Sequence, residues 1–357
     1  MTTLIDVPTR LFLCKSCGHV QSDNLLDVRK YYDTEYRISL ESDEHDQLYA
    51  VGASDLIYRT DRQAELLAEL VDPPKGALLL DYGAAKAATL KRVQTIRPDI
   101  IGHVFDVSMD YRSNWNSWLP EDRCATYSLP EKWKQKFDVA SAYFVLEHVE
   151  SPIEVLRAIR SMLKPNGKFL FTVPDLLANP GDFLVVDHLS HFTISSIERA
   201  LGMAGFRKLK IDREAFAGGL AVVAQVTESS DVGAIGPVVL EPVFEIANFW
   251  SKAAGMLASV AERRANQKSA IYGAGFYGSF IAARIGKLAD LVCFIDRNPH
   301  LHGKTHLGLP VLPPDRLPGD VTTVYAGVNP SKARAILADV VEWNGRKIEK
   351  IFMDELE

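Results

Sequence analysis

One strand–helix–strand unit limits what this chain can fold into more than any other stretch of the sequence. An apolar run from Asp138 to Tyr143 predicts a strand, and the turn Phe144-Val145-Leu146-Glu147-His148 ends it. Helical periodicity from about Pro152 to Leu163 follows, then a Pro165-Asn166-Gly167 turn and a second strand from Lys168 to Val173. Two strands joined by a helix lie parallel in one sheet, so the sequence predicts an α/β fold.

A second unit of the same kind lies upstream and carries the features of a nucleotide-type cleft. A buried strand ending at Asp81 runs into the tight turn Gly83-Ala84-Ala85-Lys86-Ala87, which opens a helix from Thr89 to Ile96. The next strand, Ile101 to Phe105, ends at Asp106, whose carboxylate is placed to accept ribose hydroxyls. Close approach of a cofactor to this backbone requires Ala85 and Ala87 to keep negative φ. The alternative is a degenerate site that binds no nucleotide.

A further nucleotide-type fold begins near residue 268. A strand from Lys268 to Tyr272 leads into Gly273-Ala274-Gly275-Phe276-Tyr277-Gly278 and a helix from Ser279 to Ile285. The next strand, Leu291 to Ile295, ends at Asp296. This pattern predicts backbone amides at a helix N-terminus that bind the phosphates of a nucleotide or a sugar nucleotide. A Rossmann-like half used only for packing and an NAD site are the alternatives.

Composition excludes several classes of protein. The 357 residues carry a net charge of −6 without a basic stripe, which argues against a nucleic-acid partner. No apolar run approaches the roughly 18 residues of a membrane span, and MTTLIDVPTR at the N-terminus does not resemble a signal peptide. We therefore expect a cytoplasmic enzyme with no membrane partner, in which the four cysteines are thiols.

Cys14 and Cys17 have the C-x-x-C spacing that lets two thiolates share one zinc ion. Zinc needs four ligands, and only His19 or His45 lies near enough in the sequence to add to the pair. Because a second cysteine pair is missing, the sequence predicts a metal-free hairpin, with Cys14 and Cys17 as the candidate ligands if zinc binds.

The 137–174 unit resembles class I S-adenosylmethionine (SAM) dependent methyltransferases, in which a strand, a LEHV turn, an LKPGG-like turn and a VPN-like strand end recur in this order. The cysteine pair, this core and the C-terminal YGAG and DRNP segments together resemble the nucleotide-sugar C-3 methyltransferases over nearly the whole chain, more loosely from about 208 to 266. The resemblance implies a class I Rossmann-like core, a smaller Rossmann-like α/β C-terminal domain and a small N-terminal extension. The implied regions are a remnant zinc-knuckle-like segment (1–50), the methyltransferase domain (51–230), a linker and spacer helix (231–266) and the nucleotide-sugar-binding domain (267–357).

The same resemblance implies SAM as cofactor and a nucleotide sugar as substrate. Of the glycine-rich turn usual in the family, only Gly83 is present. The residues implied to bind SAM are Asp81, Gly83, Ala85, Asp106, Leu129, Tyr143, Phe144 and His148. Those implied to bind the substrate are Gly273, Gly275, Gly278, Asp296 and Asn329.

The resemblance also assigns a catalytic base. The family's Tyr-His-Glu-His segment matches Val185-Val186-Asp187-His188, which makes His188 the base and puts Asp187 in place of the glutamate, while Val185 and Val186 depart from the pattern. A carbon beside a ketone becomes nucleophilic only as an enolate, and histidine titrates near neutrality, as its deprotonation requires. His191 or a backbone amide is expected to donate a hydrogen bond to the enolate oxygen.

Several alternatives stay open at this level. His188 serves equally well to deprotonate a hydroxyl in sugar O-methylation, and the histidines could instead cap the helix after Thr193. A non-catalytic sugar-nucleotide binder with a decayed SAM site is a further possibility. His148 either lines the cofactor cleft or starts a helix. The helix predicted from Glu241 to Asn266 either packs the two domains together or pairs subunits in a homo-oligomer.

Overall fold

The chain folds into two compact units, one ending at residue 240 and one starting at residue 241. The computed structural model describes residues 9–23, 46, 48–51, 56–228, 236–238 and 240–355. Within these ranges, no helix is both long and apolar enough to cross a membrane.

The first unit consists of short N-terminal strands followed by alternating strands and helices. Its strands are β1 (Leu11–Leu13), β2 (Val20–Ser22), β3 (Leu48–Val51), β4 (Leu56–Tyr58), β5 (Leu78–Tyr82), β6 (Ile101–Asp106), β7 (Cys124–Thr126), β8 (Phe137–Tyr143), β9 (Leu163–Pro174), β10 (Ser190–His191), β11 (Phe206–Phe216) and β12 (Gly219–Val226). Its helices are α1 (Arg59–Leu70), α2 (Ala88–Ile96), α3 (Arg112–Asn116), α4 (Pro152–Met162) and α5 (Ile194–Ala204). Short 3₁₀ turns lie at Glu121–Arg123, Glu131–Trp133, Leu146–His148 and Pro180–Leu184.

A seven-stranded sheet forms the centre of this unit, in the order β11-β12-β9-β8-β5-β6-β7. Neighbouring strands from β9 to β7 pair in parallel, whereas β12 runs antiparallel to both β9 and β11. The strand–helix–strand unit read from the sequence is β8, α4 and β9. This order confirms the predicted α/β fold of the class I methyltransferase type. Because β5, β6, β8 and β9 are parallel, their carboxyl ends lie along one edge of the sheet, where ligands bind in such folds.

Both faces of the central sheet are buried. Leu80 and Phe169 belong to an apolar cluster completed by residues of α4 and α5, whereas Leu79 and Leu170 belong to a cluster completed by Trp115 and residues of α1 and α2. Consecutive strand residues thus pack on opposite faces, and helices cover each face, which explains the nearly continuous apolar strands in the sequence.

The start of α5 decides one of the open alternatives. The side chain of Thr193 accepts a hydrogen bond from the Ser196 amide, and the Ser196 hydroxyl accepts one from the Thr193 amide. This reciprocal cap satisfies the first turn of the helix without a histidine. His188 and His191 are therefore available for another role.

The N-terminal segment forms the small hairpin that the sequence predicts, β1 paired antiparallel with β2. The hairpin does not stand alone, since β2 also pairs with β10, with Gln21 opposite Ser190 and Val20 opposite His191. The strand that follows His188 therefore completes a three-stranded sheet with the N-terminal hairpin.

The second unit contains a six-stranded sheet in the order β15-β16-β14-β13-β17-β18. Its strands are β13 (Lys268–Tyr272), β14 (Asp290–Ile295), β15 (Thr305–His306), β16 (Leu309–Leu312), β17 (Thr323–Ala326) and β18 (Glu349–Ile351). Its helices are α6 (Glu241–Glu262), α7 (Phe276–Ile285) and α8 (Pro330–Ala338), with 3₁₀ turns at Pro299–Leu301, Pro314–Arg316, Val341–Trp343 and Met353–Glu355. The predicted spacer helix is α6, four residues shorter than expected, and its Trp250 packs against Tyr277 and Phe280 of α7.

Candidate functional site

A cluster of histidines and carboxyl groups lies where three segments of the first unit meet. The turn Leu146–His148 follows β8, the turn Pro180–Leu184 follows β9, and residues 187–191 lead into β10. The amide of Leu189 donates a 2.7 Å hydrogen bond to the Glu147 carbonyl, which ties two of these segments together. The cluster consists of Glu147, His148, Asp182, Asp187, His188 and His191.

Asp182 is the centre of the cluster. It is fully buried, and its two carboxylate oxygens accept hydrogen bonds from Nδ1 of His188 at 2.5 Å and from Nδ1 of His191 at 2.6 Å. Burial alone would raise the pKa of Asp182, but the charges of His191 and His188 outweigh it and lower that pKa. For His188 the effects have the opposite sign. Burial alone would lower its pKa, but the charge and hydrogen bond of Asp182 raise that pKa to about 9. His188 and Asp182 form a histidine–carboxylate dyad of the kind that orients a general base.

His148 lies beside the dyad in a different protonation state. Its ring packs edge-on against that of His188, with centroids 4.7 Å apart. Its Nδ1 lies 3.0 Å from the Asp187 carbonyl oxygen, and since a carbonyl only accepts, Nδ1 is the nitrogen that carries the proton. Burial, followed by the charge of His188, lowers the pKa of His148 to about 4. At neutral pH the ring is therefore uncharged.

Glu147 is the exceptional carboxyl group of the cluster. It is fully buried, and neither of its carboxylate oxygens has a hydrogen-bond partner among the described residues. Burial raises its pKa to about 7. Ligand atoms of Glu147, His148 and His188 lie within 4.8 Å of one another.

His191 has no nitrogen to spare for a substrate. Its Nδ1 is bonded to Asp182, its Nε2 lies 2.8 Å from the Ser22 hydroxyl of the N-terminal hairpin, and the residue is fully buried. The hairpin also receives hydrogen bonds from the α5 cap, from Thr193 to the Gly18 carbonyl and from Ser195 to the Cys17 carbonyl. We therefore reassign His191 from oxyanion donor to support of Asp182.

The turn after β5 departs from the sequence expectation. Ala85 and Ala87 do not keep negative φ; their φ values are +46° and +58°, in the left-handed region, alongside +71° for Gly83. The two alanines thus follow the path of a glycine-rich turn and pack their methyl groups against the apolar core, with Ala87 fully buried. At Gly83 a Cβ would lie 2.5 Å from Cγ2 of Val145, so the glycine is needed for packing against the β8 turn as well as for its φ.

The two carboxyl groups at this sheet edge, Asp81 and Asp106, both accept hydrogen bonds from the protein. Asp106 accepts hydrogen bonds from the amides of Ala85 at 2.9 Å and Ser108 at 3.0 Å. Asp81 accepts one from the Ser141 hydroxyl at 2.9 Å, and burial, followed by the charge of Asp106, raises its pKa to about 7.

The other residues implied to bind SAM lie at or near the same edge. Tyr143 ends β8 with a buried hydroxyl that has no hydrogen-bond partner among the described residues. Phe144 packs against Phe216, with the Arg59 guanidinium 3.9 Å from its ring centroid. Leu129 lies after β7 and packs on the core. His148, by contrast, belongs to the histidine cluster.

In the second unit the glycines divide into two kinds. A Cβ at Gly278 would lie 1.9 Å from the Gly273 carbonyl oxygen, so Gly278 serves internal packing, whereas a Cβ at Gly275 would meet nothing within 4 Å. Asp296 accepts hydrogen bonds from the amides of Ala274 and Asn298, both at 2.8 Å. Asn329 caps α8 through the Ser331 amide. The open position at Gly275 is thus the best placed of the predicted substrate contacts.

Cys14 and Cys17 gain no third potential metal ligand from the described residues. Among the described residues, only Glu147, His148 and His188 bring three potential ligand atoms together, so Cys14, Cys17 and His19 do not. The His19 ring packs on Phe192 instead, and burial lowers its pKa to about 4. The Ser16 hydrogen bond lowers the pKa of Cys14 to about 7. His45 and the tyrosines that follow the pair lie outside the described residues.

Sequence reasoning did not single out Asp182, Glu147 or Ser22. Asp182 was detectable in principle, since an acidic residue between Gly181 and the apolar run Phe183-Leu184-Val185-Val186 is expected to be buried and paired. Ser22 carries no such signal, because it reaches His191 across 169 residues of chain.

Residues 56–211 match the family model described as "Methyltransferase domain". With the sheet order above, this match identifies that part of the chain as a methyltransferase domain. No curated protein matches the sequence. Solved structures with partial similarity include a SAM-dependent methyltransferase from Mesorhizobium loti (18% identity, 45% of this chain and 97% of that one, TM-score 0.37). The CurJ carbon methyltransferase is 17% identical, over 45% of this chain and 51% of that one, with a TM-score of 0.35. The mitomycin 7-O-methyltransferase MmcR is 17% identical, over 47% of this chain and 54% of that one, with a TM-score of 0.39. TM-scores this low carry no conclusion about activity.

Replacing Asp182 with asparagine tests its role as the centre of the cluster. Two imidazoles then lose a buried countercharge, so the free energy of unfolding in urea should fall by about 3 to 5 kcal/mol. Asp72→Asn is the control, since the Asp72 side chain is 89% exposed and its replacement should change stability by less than about 0.5 kcal/mol. Equal stability of the two variants would contradict the assignment.

Proposed function

We propose that this methyltransferase transfers the methyl group of SAM to a carbon beside the ketone of a nucleotide-linked keto sugar, with His188 as the base. The observation that carries the proposal is the His188–Asp182 dyad. The dyad lies in the connection after β9, one of the parallel strands whose carboxyl ends lie along the sheet edge proposed to bind SAM. A histidine whose Nδ1 is bonded to a buried carboxylate presents Nε2 to a reacting group.

The dyad explains how an imidazole can remove a proton from a weakly acidic carbon. Asp182 stabilises the imidazolium that forms when His188 takes the proton, because the carboxylate is buried and bonded to Nδ1. With a pKa of about 9, the ring carries a proton most of the time at neutral pH, and its small neutral fraction is a strong base. The enolate oxygen then needs a donor other than His191, and a backbone amide is the remaining one of the two predicted.

SAM is proposed to lie over the turn after β5. The turn keeps the backbone path of a glycine-rich loop, and the buried Asp81 carboxyl at its base offers a countercharge to the positively charged cofactor. Asp106 already holds the amides of Ala85 and Ser108, so its contact with the ribose would use the remaining lone pairs of its carboxylate.

An open groove of about 440 Å³ is proposed to hold the sugar. The groove is lined by Leu189, which follows His188 in the sequence, and by Ser22, which is hydrogen-bonded to His191. Gln21, Asp23 and Glu150 add side chains that can bond sugar hydroxyls, and Phe12, 61% exposed, offers a ring face.

We propose that the second unit binds the nucleotide of the substrate. Gly275 is the N-cap of α7, where amides at the start of a helix favour phosphate, and the space beside it is open. Asp296 fixes the preceding turn through Ala274. NAD is the competing ligand for the same fold.

The SAM proposal predicts a pH dependence of binding. The positive charge of SAM favours ionised Asp81, whose pKa is about 7 in the free protein, so affinity should rise as pH rises from 6 to 8, by about tenfold. Calorimetric titration of wild type and Asp81→Asn checks this, since the variant should show a nearly constant affinity. Absence of any SAM binding by the wild-type protein would contradict the proposed SAM site.

Gly275→Val tests the second unit. The added side chain fits the free protein but occupies the space that a phosphate needs, so binding of nucleotide sugars should be lost while SAM binding is unchanged. Gly319→Val is the matched control, because a Cβ at Gly319 also meets nothing within 4 Å. Tight NAD binding by wild type, or equal losses in both variants, would contradict the assignment.

His188→Ala tests the base. Turnover should fall by roughly 100- to 10,000-fold, with SAM and nucleotide-sugar affinities nearly unchanged, because the loss falls on the chemical step. In heavy water, wild type should exchange deuterium into the position beside the ketone and the variant should not. Methylation without exchange would favour O-methylation, and exchange that persists in the variant would place the base elsewhere.

A further inference from the structure

We propose that Glu147, His148 and His188 form a binding site for a divalent transition-metal ion of the Zn²⁺ or Co²⁺ type. Ligand atoms of the three side chains lie within 4.8 Å of one another. They come from two segments, the turn after β8 and the stretch before β10, which the hydrogen bond between Leu189 and Glu147 holds together. Among the described residues, no other group of three such side chains converges in this way.

Glu147 provides the strongest reason to place a cation here. It is fully buried with two carboxylate oxygens that accept no hydrogen bond within the described structure. Burial of a carboxyl group without a partner is unfavourable, and buried charges are found paired or bound to metals. The ligand atom of Glu147 lies within 4.8 Å of a ligand nitrogen of each of two imidazoles, which makes a mixed carboxylate and nitrogen donor set.

The two imidazoles are held as metal-binding histidines usually are. Nδ1 of His148 donates to the Asp187 carbonyl, and Nδ1 of His188 donates to Asp182. Such outer partners fix the tautomer and the ring orientation, which leaves Nε2 as the ligating atom. Asp182 and Asp187 also add negative charge around the site, which favours a dication.

The donor set indicates the kind of ion. Two histidine nitrogens and one carboxylate are the protein ligands of many zinc sites that keep a fourth position for water or substrate. Ligands about 2 Å from an ion in tetrahedral geometry lie about 3.3 Å apart, so the three side chains need to close by about 1.5 Å. Hard cations such as Mg²⁺ favour oxygen ligands and fit this set poorly.

A consequence for catalysis rests on the proposed function. The ion binds the same Nε2 lone pair of His188 that the base uses to take a proton, so the metal-loaded protein cannot deprotonate its substrate. Micromolar Zn²⁺ should therefore inhibit methyl transfer reversibly, and a chelator should restore it.

The binding test uses the whole 357-residue chain with Cys14→Ser and Cys17→Ser, so that the two thiols do not compete for the ion. Equilibrium dialysis with Co²⁺, without SAM or substrate, should show one ion per chain and a visible absorption band. Glu147→Gln keeps the shape of the side chain and should weaken binding by at least tenfold. Glu154→Gln is the control and should bind as the parent does, because the Glu154 side chain lies on α4 and is 67% exposed.

His188→Gln is the second variant, and circular dichroism with SAM affinity confirms that each variant is folded. Loss of Co²⁺ binding in both Glu147→Gln and His188→Gln, with the control unchanged, supports the site. Equal binding by the parent and Glu147→Gln, or no stoichiometric binding, overturns it. Because binding is measured without turnover, failure of the metal site and failure of the proposed methyl transfer are distinguishable: the latter shows as an inactive metal-free protein.

Discussion

The structure of the functional region depends on one buried carboxylate. Asp182 accepts hydrogen bonds from His188 and His191, and a charge buried this deeply persists only when it is paired on both oxygens. The pairing folds the β9-to-β10 connection onto itself and fixes the orientation of the His188 ring. The hydrogen bond from the Leu189 amide to the Glu147 carbonyl ties this connection to the turn after β8. A misplaced Asp182 would leave both the base and its neighbours without a defined geometry.

The N-terminal hairpin gains a role from the same arrangement. Ser22 closes a chain of hydrogen bonds that runs through His191 and Asp182 to His188, and β2 pairs with β10 alongside it. The segment that the sequence indicates as a remnant of a zinc knuckle thus supplies β2, which pairs with β10 next to the proposed base His188.

Much of the fold was predictable because its signals are local. The apolar strands and the Thr193 cap depend on neighbouring residues, and β8 and α4 lie within one residue of their predicted bounds. The prediction for β9 was wrong at its start, because the strand begins at Leu163 and includes the three residues predicted to form the Pro165-Asn166-Gly167 turn. The cluster was not predictable to the same degree. Asp182, Glu147 and Ser22 acquire their roles from contacts between distant segments, and the left-handed φ of Ala85 and Ala87 runs against the ordinary preference of alanine. The family resemblance pointed to His188 as the base and to Asp187 in place of the family's glutamate, but not to Asp182, which holds the His188 ring.

The central claim is that the His188–Asp182 dyad takes a proton next to the methyl group of SAM. A crystal structure with the demethylated cofactor tests it most directly. If one carbon is to lose its proton to His188 and accept the methyl group, Nε2 of His188 must lie within about 9 Å of the cofactor sulfur. This limit is the sum of two contact distances of about 3 to 3.5 Å and the S–C bond of the transferred methyl group. The account predicts such a separation, with the cofactor over the turn after β5 and the bond from Asp182 intact. A separation well beyond this, or a cofactor bound elsewhere, would contradict it.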